Sequence, residues 1–136
     1  MQPRGLTVLR VILVFSVLST LSHYTHNFVA IEDYPPGPVP DAVTQVLILI
    51  SWPLLTAIGL WGYREYAAGR FRHARGALIT YSFTGLITLG HFTSGNPDIP
   101  PFFYATIFTD FIAGVSVLGF VAWASRQERT AVTASA

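Results

Sequence analysis

The chain has 136 residues, of which 51% are hydrophobic and 11% are charged, with a formal net charge of +1. This composition is too apolar for a soluble domain of this length. The sequence contains no cysteine, which excludes disulfides, thiolate metal ligands, covalently attached haem c and cysteine-ligated iron–sulfur clusters.

Four apolar stretches follow one another along the chain, at residues 7–28, 42–63, 74–93 and 102–124. Each is long enough to cross a bilayer, which takes about 20 helical residues. Helices satisfy their own backbone hydrogen bonds, as a membrane requires. The sequence therefore predicts an all-α fold in one domain, an integral membrane four-helix bundle. The residues after the last stretch, 130–136, are small or polar and are predicted to be disordered.

The charged residues are divided between the two ends of the predicted helices. Eight arginines lie near the N-terminus, between the second and third stretches and after the fourth. The other two loops contain no arginine, and their charged residues are Glu32, Asp33, Asp41 and Asp98. By the positive-inside rule, this asymmetry places both termini in the cytoplasm and the acidic loops outside. We therefore predict a multi-pass protein of the plasma (inner) membrane.

One phrase occurs twice in the chain. Residues 15–25 read FSVLSTLSHYT and residues 83–93 read FTGLITLGHFT, with identical residues at six of eleven positions. Both copies run in the same direction across the predicted membrane. They predict an internal repeat of two helical hairpins, related by a pseudo-two-fold axis along the membrane normal. Under that axis His23 and His91 lie at one depth, and helices 1 and 3 lie close together at the bundle centre.

Four ionisable side chains fall in the outer half of the predicted bundle. His23 and His91 lie a few residues from the outer ends of their helices, and His26 lies one turn beyond His23. Asp110 lies about 12 Å into helix 4, at about 1.5 Å per residue. Because charged groups are costly in a membrane, they normally face a cavity or a partner and mark function. We expect one polar pocket, in which Asp110 is hydrogen-bonded to His91 or His23.

The first hypothesis for this cluster is a metal site. His23 and His26 are spaced i and i+3 on one helix, and His91 faces them across the bundle. With Asp110, or with a loop acid (Glu32 or Asp33), they are geometrically reasonable ligands for zinc, copper or iron. No further motif in the sequence fixes the metal.

The second hypothesis is a b-type haem. Two histidines at equal depth on facing helices, His23 and His91, are the axial ligands that such a cytochrome needs. Gly85, Gly90 and Gly114 lie nearby in the sequence pattern and leave room for the ring. A single pair of this kind holds one haem near the outer face.

The third hypothesis is structural. The histidines then hydrogen-bond Asp110 and the neighbouring hydroxyl groups, and the protein is a structural or partner subunit of a membrane complex, or a homo-oligomer, in contact with membrane lipids. Proton-linked transport and lipid-directed chemistry are further possibilities for buried ionisable groups. The arginine-containing loop between helices 2 and 3 is too short to indicate nucleic-acid binding. The sequence names no enzymatic reaction.

Overall fold

The structure, a computed structural model, describes residues 4–134, and its elements are all helical. Four α-helices follow in chain order: α1 (Leu6–Val29), α2 (Asp41–Ala67), α3 (Phe71–Leu86) and α4 (Pro101–Ala134). Two short 3₁₀ segments, Ile31–Asp33 and Ile87–Phe92, follow α1 and α3. The predicted all-α fold with four helices is confirmed.

Three of the helices are long and apolar enough to cross a membrane, over Leu6–Val29, Asp41–Ala67 and Pro101–Thr130. The third predicted span is divided. Its α-helical part, α3, has 16 residues and is about 24 Å long at about 1.5 Å per residue. The 3₁₀ segment continues it for 6 residues, which adds about 12 Å at about 2.0 Å per residue.

The last helix extends beyond the predicted end. α4 continues past residue 124 to Ala134, so most of the tail predicted to be disordered is helical. No glycine or proline follows Gly119, and the sequence therefore has no residue that would break the helix there. Residues 135 and 136 lie outside the described residues.

The helices form a ring in which each one packs against two neighbours. α1 and α3 both pack against α2 and α4, and they face each other across the centre of the bundle. We call the end that carries residues 30–40 and 93–100 the acidic end, and the opposite end, with residues 68–70, the arginine end. The two loops at the acidic end are joined by a hydrogen bond from the backbone N–H of Asp98 to the carbonyl oxygen of Asp33 (2.9 Å).

Apolar side chains fill most of the half of the bundle at the arginine end, where Glu65 is buried and pairs with Arg70. Leu9, Leu13, Leu78 and Val117 are buried against one another, and Phe120 closes the layer below them. These residues come from α1, α3 and α4, whose apolar faces meet here. This layer separates the polar residues of the other half from the arginine end.

The closest approach between α3 and α4 takes place at two glycines. A Cβ atom on Gly85 would overlap the carbonyl oxygen of Asp110, and one on Gly114 would lie 2.8 Å from the carbonyl oxygen of Ser82. Small residues of this kind allow backbones to approach closely in membrane bundles. The contact at Gly85 fixes the height of Asp110 relative to α3.

The two copies of the repeated phrase differ in backbone conformation. α1 remains α-helical to Val29, whereas the second copy changes to a 3₁₀ helix at Ile87. The pseudo-two-fold axis and the orientation of the termini stay predictions.

Candidate functional site

Polar side chains collect on the inward face of α1 in the acidic half. Ser16, Thr20, His23 and Asn27 are all buried. Their spacing of three and four residues places them on one face of the helix. That face points at α3 and α4, where Thr84, Thr88 and Thr106 are buried as well. Thr80, which lies one turn before Thr84 on α3, is exposed and takes no part.

His23 is the centre of this group, and its side chain is 1% exposed. Its Nε2 lies 3.1 Å from Nε2 of His91. Its Nδ1 lies 3.3 Å from Oγ1 of Thr106 and 3.8 Å from Oδ2 of Asp110. The structure therefore brings together three of the four predicted site residues, in the order Asp110, His23, His91.

The hydrogen-bond partners assign the protons on the two imidazole rings. The hydroxyl of Thr106 donates a hydrogen bond to the carbonyl oxygen of Phe103 (2.6 Å), so its oxygen can accept a hydrogen bond from Nδ1–H of His23. Nε2 of neutral His23 is then an acceptor, and Nε2–H of His91 is the donor. This leaves Nδ1 of His91 as a free acceptor, and it makes no hydrogen bond to the described residues.

Asp110 is fully buried, at 0% exposure. Oδ1 accepts a hydrogen bond from Oγ of Ser19, which also lies 2.6 Å from Oγ1 of Thr109. Oδ2 has no hydrogen-bond partner among the described residues and faces the imidazole of His23. The expected hydrogen bond from Asp110 to His23 or His91 is not formed: His23 is the nearer histidine, with its Nδ1 3.8 Å from Oδ2, and the hydrogen bond to Asp110 comes from Ser19.

The wall on the other side of His91 contains an incompletely satisfied amide. The amide atom of Asn27 that is placed as Nδ2 lies 3.3 Å from Nε2 of His91. Because Nε2–H of His91 is a donor, the amide is assigned with its oxygen on this side and its NH₂ group on the other. The second amide atom of Asn27 is buried and has no partner within residues 4–134. Unpaired buried polar atoms are uncommon, because leaving one unsatisfied costs about 1–3 kcal/mol.

A cavity of about 330 Å³ lies next to these groups, between α1, α2 and the second 3₁₀ segment. His23, Asn27 and His91 line it together with Thr88. The segment 34–38 lines its acidic end, and α2 contributes residues from Asp41 to Ser51. Its volume is in the range of small-molecule sites, about 300–1,000 Å³.

His26 does not join the group. Its Nδ1 lies 3.1 Å from the hydroxyl of Tyr34, and its ring stacks on Phe103 with centroids 3.8 Å apart. Burial raises the pKa of the Tyr34 phenol to about 12, and the acid of Asp33 adds to the effect. The phenol of Tyr34 therefore stays protonated, and its O–H can donate a hydrogen bond to Nδ1 of His26.

The predicted ligand sets for a metal and for a haem are not assembled. Within residues 4–134, no three histidine, aspartate or glutamate side chains come close enough to hold a metal ion. For the haem, axial nitrogens on opposite sides of one iron lie about 4 Å apart at about 2 Å per bond. His23 and His91 instead contact each other directly at 3.1 Å, which leaves no gap for a ring.

The polar network ends before the arginine end is reached. Trp52 donates its indole N–H to Oγ1 of Thr20 (3.1 Å), and Tyr81 donates its hydroxyl to Oγ of Ser16 (2.9 Å). Below Tyr81 lies the apolar layer of Leu13, Leu78 and Val117. The site is accordingly connected to one end of the bundle only.

The sequence did not indicate Tyr34 or the 34–38 segment as part of the site. From the sequence, Tyr34 is predicted to be an aromatic residue at the membrane interface. In the structure it is buried, because the short 3₁₀ turn at residues 31–33 folds the chain back over α1. The run of prolines at 35, 36 and 38 was a signal for a stiff loop, but not for the wall of a cavity.

Comparison with protein-family models, with curated proteins and with solved structures finds no match to this chain. The fold and the site define a small helical protein with three helices long and apolar enough to span a membrane and a buried His–His–Asp group.

Proposed function

We propose that this protein is a four-span membrane protein that binds a ligand in the cavity at its acidic end and accepts a hydrogen bond or a proton from it at His91. The observation that carries the proposal is the row of contacts in which Asp110 lies 3.8 Å from His23 and His23 lies within hydrogen-bond distance of His91. That row begins at a fully buried carboxylate and ends on a cavity wall.

The geometry supports a positioning role for the two inner residues. A carboxylate behind a histidine fixes the orientation and the tautomer of the ring, and it stabilises positive charge that develops there. Here Asp110 lies 3.8 Å from Nδ1 of His23, and Nε2 of His23 accepts a hydrogen bond from Nε2–H of His91. The exposed nitrogen of His91 is thereby kept as an acceptor toward the cavity.

A purely structural role explains the group less well. Hydrogen bonds between helices in membranes contribute about 0.6 kcal/mol on average. This stabilisation is small compared with the cost of burying a carboxylate. An amide atom of Asn27, which lines the cavity, and Oδ2 of Asp110, which lies behind His23, also have no partner among the described residues. Incomplete satisfaction next to a cavity is expected of a binding site.

The orientation belongs to the same proposal. The acidic loops lie at the end where the cavity opens, and the arginines at 64, 70, 72 and 75 lie at or near the other. With the positive-inside rule, the cavity faces the outside and both termini face the cytoplasm. α3 with its 3₁₀ continuation supplies the fourth span.

Thiol labelling in sealed, right-side-out vesicles tests both statements, since the chain has no native cysteine. Ser51 lines the cavity, and its neighbour Ile50 is 58% exposed on the outer face of α2. We expect a membrane-impermeant trimethylammonium thiosulfonate, added outside, to modify Ser51→Cys more than about tenfold faster than Ile50→Cys. A charge costs about 2.5 kcal/mol or more in a bilayer, and each 1.4 kcal/mol corresponds to about a factor of ten.

Two outcomes would contradict the proposal. If Ser51→Cys reacts no faster than Ile50→Cys, the cavity does not admit water and no outer binding site exists there. If Ser51→Cys is modified only when the reagent is inside, the orientation is inverted. Ala68→Cys, in the loop at the arginine end, is the positive control for labelling from the inside.

A further inference from the structure

The hydrogen-bonding groups that face the cavity restrict the ligand. Nδ1 of His91 is a free acceptor, so the ligand has to donate a hydrogen bond to it. The unpaired amide atom of Asn27, which is 7% exposed, requires a second polar contact. A hydroxyl group both donates and accepts, and it therefore satisfies Asn27 in either orientation of the amide.

The charges around the cavity argue against an ionic headgroup. Within the part of the chain that the structure describes, no lysine or arginine lines it, so an anion such as a phosphate would have no counter-charge. Among the described residues one acid lines it, Asp41, which is exposed at the N-terminal end of α2. Asp110 is separated from the cavity by His23. The polar floor at His91 is therefore suited to an uncharged group.

The cavity also has an open apolar side. Leu47 and Ile87 line it and are 55% and 59% exposed. Leu47 lies six residues after Asp41, about 9 Å along α2 at about 1.5 Å per residue. This depth belongs to the apolar part of the helix, so the opening at Leu47 faces lipid and admits a hydrocarbon chain.

We propose that the ligand is an uncharged, lipid-soluble molecule with a hydroxyl headgroup, an alcohol or a phenol. Its hydroxyl donates to Nδ1 of His91 and contacts the amide of Asn27, and its hydrocarbon part leaves the bundle between Leu47 and Ile87. This inference rests on the proposed function, because it requires the cavity at the acidic end to be a binding site.

Protection of Ser51→Cys from thiol labelling tests the inference in full-length protein in lipid vesicles. The probes are 4-octylphenol and its methyl ether, 4-octylanisole, which has the same ring and chain but no donor. We expect 4-octylphenol to protect at a concentration at least about tenfold lower than the ether, the factor expected for one buried hydrogen bond. Octyltrimethylammonium and octyl phosphate should protect more weakly than the phenol.

Variants in the same Ser51→Cys background locate the headgroup. His91→Ala should remove the preference for the phenol over the ether. Thr80→Ala, on the exposed face of α3 outside the cavity, should leave the preference unchanged.

Equal protection by the phenol and the ether would overturn the inference, because the cavity would then bind the hydrocarbon part without a hydrogen bond to the hydroxyl. Stronger protection by the ammonium or the phosphate would overturn it in favour of an ionic ligand. Fast labelling that no probe reduces would also overturn it, yet leave the proposed function standing. Absence of labelling at Ser51→Cys would contradict the proposed function itself.

Discussion

The two halves of this bundle are built from the same four helices but in opposite ways. At the arginine end, Leu9, Leu78 and Val117 form a dry layer in which each side chain packs against apolar neighbours. At the acidic end, His23 and Asp110 are just as deeply buried, at 1% and 0% exposure, but the atoms around them are polar. These side chains are thus buried to the same extent in both halves, but those of the arginine half are apolar and those of the acidic half are polar.

This difference separates what stabilises the protein from what it can do. Packing of apolar side chains in the arginine half requires no partner of particular chemistry. In the acidic half every buried polar atom needs a partner, and atoms on Asp110 and Asn27 lack one among the described residues. We infer that the arginine half provides the rigid support and the acidic half carries the site.

One contact in the acidic half depends on close packing of the backbones rather than on polar partners. A substitution there has the largest expected effect on stability. Although the acidic half is polar, its backbones are in tight contact where Gly85 meets the carbonyl of Asp110. Gly85→Ala places a methyl group against a backbone atom that cannot rotate away. We expect a loss of about 3 kcal/mol in the free energy of unfolding, measured by denaturation in mixed micelles.

Gly76→Ala is the matched control on the same helix, since a Cβ atom there meets nothing within 4 Å. It should be neutral or slightly stabilising, because alanine is the better helix former. Equal effects of the two substitutions would show that the helices are not in contact at Gly85.

The second prediction tests the packing of the arginine half. Leu78 is 1% exposed in the apolar layer, whereas the adjacent Ile79 is 39% exposed on the outer face of α3. Truncating a buried leucine to alanine costs about 2–5 kcal/mol in soluble cores. In a bilayer the lost packing contacts account for the cost, so we expect about 2 kcal/mol for Leu78→Ala.

Ile79→Ala should change the free energy of unfolding by less than about 0.5 kcal/mol, because lipid chains replace the lost contacts. The same denaturation experiment measures both variants. A larger loss for Ile79→Ala than for Leu78→Ala would place the packed face of α3 on the other side of the helix.

The sequence predicts the apolar half of this comparison better than the polar half. Four helices follow from the lengths of the apolar stretches alone. The change from α3 to a 3₁₀ helix at Ile87 does not, because residues 83–93 match the α-helical 15–25 at six of eleven positions. The conformation there depends on packing against α4, where Thr88 donates to the carbonyl oxygen of Ile107 (3.1 Å).

For the site, the sequence indicated the right depth but not all the right contacts. His23, His91 and Asp110 were expected in one pocket, and they lie in contact. His26 was expected with them, since it lies one turn from His23. Its ring instead pairs with Tyr34 and Phe103, and no spacing rule within a helix reveals a partner from a folded-back loop.

The smallest expected effect concerns the coupling between Asp110 and His91, which are linked only through His23. If the carboxylate attracts Nδ1–H of His23, Nε2 of His23 becomes a stronger acceptor for Nε2–H of His91. Electron density then increases at the free Nδ1 of His91. Asp110→Asn is nearly isosteric and retains the hydrogen bond to Ser19, but it removes the charge that drives this polarisation.

We expect Asp110→Asn to slow the reaction of His91 with diethylpyrocarbonate by a factor of about three, an energy below about 1 kcal/mol. Peptide mapping by mass spectrometry resolves the histidines, and His73 in the same sample is an exposed internal standard, at 63% exposure. Asp98→Asn, in an exposed loop at the acidic end, controls for the loss of one negative charge nearby.

An unchanged rate at His91 would mean that the carboxylate does not act through His23. Asp110 would then only stabilise the bundle, and the proposed coupling from Asp110 to the cavity would be wrong. A fall of equal size at His73 would indicate a change in the whole fold, and the unfolding curve of Asp110→Asn would then differ from that of the unmodified protein.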